Sequence, residues 1–178
     1  MFCKEWHAAG APEATVSVNL SMKSLADVQL AERLTELVRG EGLAAKHMIF
    51  EVAESAANSE IGHALENLSR LRMRGFGLSI DNYGGSSSLQ QLTRVSFTEI
   101  KIDRSFVANA AAQRSARVVL ESSLEMAKKL KITSVGAGVE THEDWVMLRQ
   151  LGGKLAQGYY LAKPATAATF LEWAREHG

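Results

Sequence analysis

Hydrophobic positions along the chain switch repeatedly between two periods. Six short runs, alternating or apolar throughout, predict strands: "TVSVNL" (15–20), "HMIFEV" (47–52), "FGLSID" (76–81), "FTEIKID" (97–103), "ITSVGAGV" (132–139) and "LAQGYYLA" (155–162). Between them, apolar residues recur every three or four positions, the spacing of a helix face. The segment 24–38 carries Leu25, Val28, Leu34, Leu37 and Val38, with Ser24 as its N-cap and Gly40 and Gly42 placed to end it. Segment 60–73 carries Ile61, Leu65, Leu68 and Leu71 and meets Gly75. A helical turn is expected near Leu89 and a long helix over 112–130. Thr141 and Asp144 form a capping-box pattern that opens a helix through Trp145, Leu148 and Leu151, and a last helix covers 166–176. Strand followed by helix, six times over, predicts an α/β fold with a parallel sheet. No linker or low-complexity tract interrupts 1–178, which reads as a single domain.

Composition narrows the classes. The 178 residues are 46% hydrophobic and 22% charged, enough to bury a real core. Lys plus Arg equals Asp plus Glu, so nothing favours a nucleic-acid polymer or a membrane surface as partner. No apolar run approaches the ~20 residues of a membrane span, and "MFCKEWHAAG" lacks the pattern of a signal peptide. Cys3 is the single cysteine, so an internal disulfide is impossible and a cytoplasmic setting is expected. The five histidines show no zinc-ligand spacing of the HExxH kind.

The candidate chemistry lies where the expected strands end. Asn19, Glu51, Asp81 with Asn82, Lys101 with Asp103, Glu140 and Gln157 each sit at or near the C-terminal end of one strand. In a barrel of parallel strands those ends converge on one face, where such folds place their sites. Carboxylates, amide oxygens and one lysine suit a hard cation such as Mg²⁺ or Mn²⁺ together with a phosphate. A lone Asp or Asn at a strand end is more often a cap. Six ends in register argue against coincidence.

In order along the chain, "VSVNLS" (16–21), "FEVAES" (50–55), "LSIDNYGGSSSLQQL" (78–92), "FTEIKIDRSFV" (97–107), "GVET" (138–141) and "QGYYLAKP" (157–164) resemble the motifs of the EAL domain, a bacterial signalling domain that hydrolyses cyclic di-GMP. The resemblance implies a TIM-barrel-derived fold. It implies metal ligation by Asn19, Glu51 and Asp81, with Asn82 standing where the family has a second aspartate. Lys101 matches the lysine that touches the attacking water or the phosphate. Glu140 matches the second glutamate of AEGVE, and Gln157 a glutamine near the substrate. Glu54 matches a glutamate that anchors the loop after Asp81, and Asp103, within "KIDRSF", falls among the substrate-side positions.

The chain departs from that pattern in four places. The EAL tripeptide is absent, and the first two strands of the family would lie before Met1; a TIM barrel takes about 250 residues and eight strands, against six expected here. Asn82 removes a charge from the metal site. The loop "DNYGGSSSL" is a residue shorter than its family counterpart. Ala137 stands where the family has the first glutamate of AEGVE. These departures predict a degenerate EAL domain that binds a cyclic di-GMP-related ligand or a protein without turnover, with a weak cation site or none. The alternative is an active phosphodiesterase completed by upstream sequence or by a partner.

Two open edges, "TVSVNL" and "LAQGYYLA", would invite another chain, so a homodimer or a protein partner is expected. Closure by the chain's own Met1–Gly10 segment, plugging the gap with Phe2 and Trp6, is the alternative. The exposed interior is expected to carry Val16, Val18, Leu155 and Tyr159. The remaining features read as structural: tryptophans packed on helices, His47 and His63 at the surface or in caps, and Arg70, Arg72 and Arg74 on a solvated face.

Overall fold

The computed structural model describes residues 2–53, 62–84 and 95–177. In chain order the elements are α1 (Phe2–Ala8), β1 (Val16–Leu20), α2 (Met22–Leu25), α3 (Leu30–Gly40), a 3-10 turn (Ala45–His47), β2 (Met48–Ala53), α4 (Gly62–Met73), β3 (Gly77–Tyr83), β4 (Glu99–Ile102), α5 (Arg104–Val107), α6 (Arg114–Leu130), β5 (Thr133–Ala137), α7 (His142–Gln150), β6 (Leu155–Gln157) and α8 (Ala167–His177). The six strands form one sheet in sequence order, every pair parallel. Residues of β1 and of β6 line the same cavity, so the sheet curls into an open half-barrel.

Strand alternation divides the molecule into two environments. Phe50, Val52, Leu78, Ile80, Ile100 and Ile102 are fully or almost fully buried, and they share one core with Leu68 and Leu71 of α4, Leu120 of α6 and Leu148 of α7. The residues between them, Glu51, Ser79, Glu99 and Lys101, are equally buried but polar, and face inward. A sheet covered by helices outside and polar within is the arrangement of a barrel that keeps its chemistry inside.

The expected helix over 24–38 is two helices. Ser21, not Ser24, is the N-cap of α2, and its Oγ accepts from the Ser24 N–H at 3.1 Å. The chain then breaks at Asp27–Gln29, because Asn67 of α4 donates to the Leu25 and Asp27 carbonyls at 2.9 and 2.8 Å. Val28 and Leu37 are therefore exposed rather than part of the buried face. The last strand is also shorter than expected. β6 ends at Gln157, and the next residues turn to bond the Val139 backbone. The helical turn expected near Leu89 lies outside the described residues.

β1 and β6 have no further strand partner among the described residues. Phe2 and Trp6 of α1 meet Phe170 of α8 with ring centroids 5.5 and 5.1 Å apart, and Phe170 meets Trp173 at 5.6 Å. The N-terminal helix thus docks on the C-terminal one at the open side of the sheet. Val16 and Val18 lie on the opposite face of β1 from Ser17 and Asn19, which line the cavity, so the interior of this edge is polar rather than apolar. Tyr159 does line the cavity.

His47 is buried, not a surface residue: its Nδ1 and the Nε2 of His7 both reach the Ala14 carbonyl, at 3.2 and 2.8 Å, and pin α1 to the start of β1. The arginines at 70, 72 and 74, in and just after the last turn of α4, are more engaged than a solvated face. Arg70 and Arg74 pair with Glu32 of α3, while Arg72 donates to the Ser96 and Phe76 carbonyls. Among the described residues, no helix is long and apolar enough to cross a membrane.

Candidate functional site

A cavity of about 910 Å³ opens inside the half-barrel. Parallel pairing builds it row by row. Asn19 on β1 lies opposite Glu51 on β2, Glu51 opposite Ser79 on β3, and Ser79 opposite Glu99 on β4. Lys101 follows two residues later on β4, opposite Val135, and Ala137 on β5 lies opposite Gln157 on β6. The cavity lining includes Asn19, Glu51, Asp81, Asn82, Lys101, Ala137, Glu140 and Gln157, so the structure brings these strand-end residues together. Asp103 is absent from the lining. Its carboxylate caps α5, accepting from the Ser105 N–H at 2.8 Å and the Ser105 hydroxyl at 2.5 Å. Glu54 lies outside the described residues.

Asp81 and Asn82 are adjacent on a strand, so alternation alone would send them to opposite faces. The register between β3 and β4 shifts by one residue between Ile80 and Tyr83, a bulge. Asn82 takes up the irregularity with φ of 58°, a left-handed conformation that Asn tolerates better than most residues. Both side chains therefore line the cavity, and Asn82 Nδ2 donates to Asp81 Oδ2 at 3.1 Å.

Every carboxylate identified from the strand ends has a partner. Lys101 Nζ donates to both oxygens of Glu51, at 3.0 and 2.9 Å, with both side chains buried. Asp81 accepts from Asn82, Asp103 from Ser105, and Glu140 lies 3.5 Å from Arg104 of α5. Arg104 also lines the cavity, and so do Trp6 and Phe170 at the open side. Sequence reasoning passed over Arg104, although it stands within "KIDRSF", immediately after Asp103.

Glu99 is the exception. It is buried, faces the cavity, and has no ion-pair partner among the described residues, since the nearby Lys101 is held by Glu51. Burial pushes its carboxyl above the ordinary value, and Glu51 adds to this, while the Ser79 hydroxyl and Lys101 oppose it. Ser79 is fully buried and lies beside Glu99 in the same inward row, where its hydroxyl can donate to the carboxylate. Glu99 shares the inward parity of Lys101 in "EIK", so alternation could have found it.

The sign of the pH effect follows from the raised value. Below the ordinary carboxyl value of 4.5, both folded and unfolded chains hold the Glu99 proton and stability is full. As pH rises through and above that value, the unfolded chain releases the proton first and stability falls. Glu99→Gln removes this loss. Thermal unfolding is expected to show the variant more stable than wild type near pH 7, with the gap closing towards pH ~4. A constant gap at both pH values would contradict the assignment.

The family model described as the EAL domain matches residues 2–164. The chain belongs to the EAL domain family. The cyclic di-GMP phosphodiesterase RocR of Pseudomonas aeruginosa is 36% identical over 159 residues, 89% of this EAL chain and 41% of RocR. The structure of the PaMucR phosphodiesterase in complex with c-di-GMP is similar at a TM-score of 0.88 and 30% identity, covering 95% of this chain and 69% of that one. That of Klebsiella pneumoniae BlrP1 with manganese and cyclic di-GMP gives 0.85 and 27%, over 93% and 42%. This EAL domain spans less than half the length of the curated relatives it matches.

The family implies divalent metal, and the donor set decides how much of it fits. Two-metal hydrolysis needs several carboxylates around cations about 4 Å apart. Among the described residues no group of three or more His, Cys, Asp or Glu side chains is placed to hold an ion. Asn82 is neutral, Ala137 has no donor, and Glu51 is clamped by Lys101. A metal pair does not fit these residues.

Proposed function

We propose that this EAL domain binds a cyclic dinucleotide of the cyclic di-GMP class without hydrolysing it. The observation that carries the reading is the pairing of the strand-end carboxylates: Glu51 with Lys101, Asp81 with Asn82, Glu140 with Arg104. A hydrolytic site needs a carboxylate free to hold metal or take a proton from water. The first glutamate of the family's AEGVE stretch, by resemblance, falls at Ala137, whose methyl group can do neither. The cavity nevertheless has the size of a ligand site, and Lys101 and Arg104 line it as cations for phosphate oxygens. Asn19, Glu51 and Asp81 could together hold one weakly bound Mg²⁺ or Mn²⁺, which would neutralise phosphate charge, once Lys101 releases Glu51.

The test has two arms. Micromolar protein incubated with cyclic di-GMP and Mg²⁺ or Mn²⁺ is expected to form no linear pGpG by chromatography, because loss of a general base alone costs about 10²–10⁴ in rate. Calorimetric titration with cyclic di-GMP is expected to show saturable binding both with and without the cation. Clear metal-dependent pGpG would restore the reading of an active phosphodiesterase. Absence of binding under all these conditions would leave a protein-interaction module instead.

A further inference from the structure

At the other end of the sheet from the strand-end residues, the C-terminal half of α6 and the connections into β5 and β6 enclose a groove of about 860 Å³. Its apolar part is made by Leu124 of α6, Ile132 ahead of β5, Leu151 after α7 and Leu155 at the start of β6. Leu124 is buried, while Leu155 is left 48% exposed. Charge is distributed unevenly around this floor. Both acids of the groove are already held by cations: Glu121 lies 3.0 Å from Arg117 and Glu125 2.8 Å from Lys129. The three lysines that line the groove, Lys128, Lys131 and Lys154, are exposed and make no ion pair among the described residues. A basic residue in the last turn of a helix complements the helix dipole, which accounts for Lys128. It does not account for the other two. Lys131 is the C-cap of α6 at φ of 57°, a left-handed position that glycine would occupy without steric cost. Lys154 comes from a different element, the connection between α7 and β6.

We propose that this groove is a docking surface for an acidic protein segment that carries aliphatic side chains. Such a segment is complementary in both respects. Its aliphatic side chains cover Leu124, Ile132, Leu151 and Leu155, and its carboxylates meet the three ammonium groups around them. A small amphipathic anion such as a fatty acid is a poorer occupant, because its one carboxylate leaves the remaining lysines unpaired. A membrane of acidic lipids is poorer too. A flat headgroup surface does not fill a concave groove, and a chain of zero net charge is not drawn to such a surface as a whole. The groove is separate from the proposed nucleotide site. Thr133 and Leu155, which line it, are the first residues of β5 and β6, whereas Ala137 and Gln157, which line the cavity, are the last.

The experiment is fluorescence anisotropy of the whole chain against a labelled ten-residue peptide of Glu, Asp and Leu. Two control peptides carry Lys in place of the acids, or Ser in place of Leu. Wild type is expected to bind the acidic aliphatic peptide saturably and each control more weakly, and to lose affinity as salt is raised. The triple variant Lys128→Gln, Lys131→Asn, Lys154→Gln is expected to bind it roughly tenfold more weakly, and Leu155→Ser about threefold. Asn is chosen at position 131 because it tolerates the left-handed backbone. Equal wild-type affinity for the three peptides, binding indifferent to salt, or a triple variant that binds as wild type does would overturn the proposal. So would wild-type binding to phosphatidylserine vesicles with none to the peptide, which would make the groove a membrane contact. The salt series needs no variant, so a misfolded triple variant does not rescue the proposal. Peptide binding in a protein that binds no cyclic di-GMP would overturn the nucleotide reading alone and leave the groove standing.

Discussion

Replacing Lys101 by methionine is expected to cost roughly 3–5 kcal/mol of folding stability. The ammonium of Lys101 meets both oxygens of Glu51, with side-chain exposures of 11% and 8%. Neither charge is open enough for solvent to replace the other. Removing the lysine strands Glu51 beside Glu99, two carboxylates facing one cavity with no cation between them. The cost is that of an uncompensated buried charge rather than the net worth of the pair, which is small once desolvation is counted. The double variant Glu51→Leu with Lys101→Met is accordingly expected to recover most of the loss. Urea unfolding of the three proteins checks it. If Lys101→Met loses less than about 1 kcal/mol, or the double variant is as damaged as the single one, the ion pair is not the buried element described.

Gly158→Ala is expected to destabilise by ~3 kcal/mol and to weaken ligand binding along with it. A Cβ at Gly158 would lie 2.0 Å from the Val139 carbonyl oxygen and 2.4 Å from its nitrogen. These are main-chain atoms, so no side-chain rotation relieves the contact. The Val139 N–H donates to the Gln157 carbonyl at 3.0 Å, and the Tyr160 N–H donates to the Val139 carbonyl at 3.1 Å, so one of these two segments must give up a bond to make room. Gln157, Tyr159 and Glu140 line the cavity on either side of this crossing. Denaturant titration, paired with calorimetry against cyclic di-GMP, reads both effects. Wild-type behaviour in both would show that the two segments do not approach so closely.

The central strands were legible because their apolar runs are short, rich in β-branched residues and bounded by helix-period segments. Phe50, Val52, Ile80, Ile100 and Ile102 are buried as that pattern requires. The family was legible for a different reason: motifs such as "KIDRSF" and "QGYYLAKP" survive in order over most of the chain, and residues 2–164 match the EAL model. The strand-end set was legible because parallel strands in one sheet must present their C-terminal ends on one side. Seven of its eight members line the cavity, with Asp103 diverted into a helix cap.

What local sequence settles and what it leaves to packing separate by distance along the chain. Parity within a strand, helix period and turn chemistry act between near neighbours, and these placed the strands and the Thr141 capping box. Contacts between residues far apart decided the rest. Asn67 breaks the helix over 24–38 from across a gap of some forty residues, and Gly158 ends the last strand against Val139. The bulge that turns Asn82 inward appears only when β3 meets β4. The charge state of the cavity is the clearest case. Nothing near Glu51 or Glu99 in sequence says which of them Lys101 will neutralise; that depends on the geometry of the curled sheet, which gives the lysine to Glu51 and leaves Glu99 with the Ser79 hydroxyl and a raised carboxyl pKa.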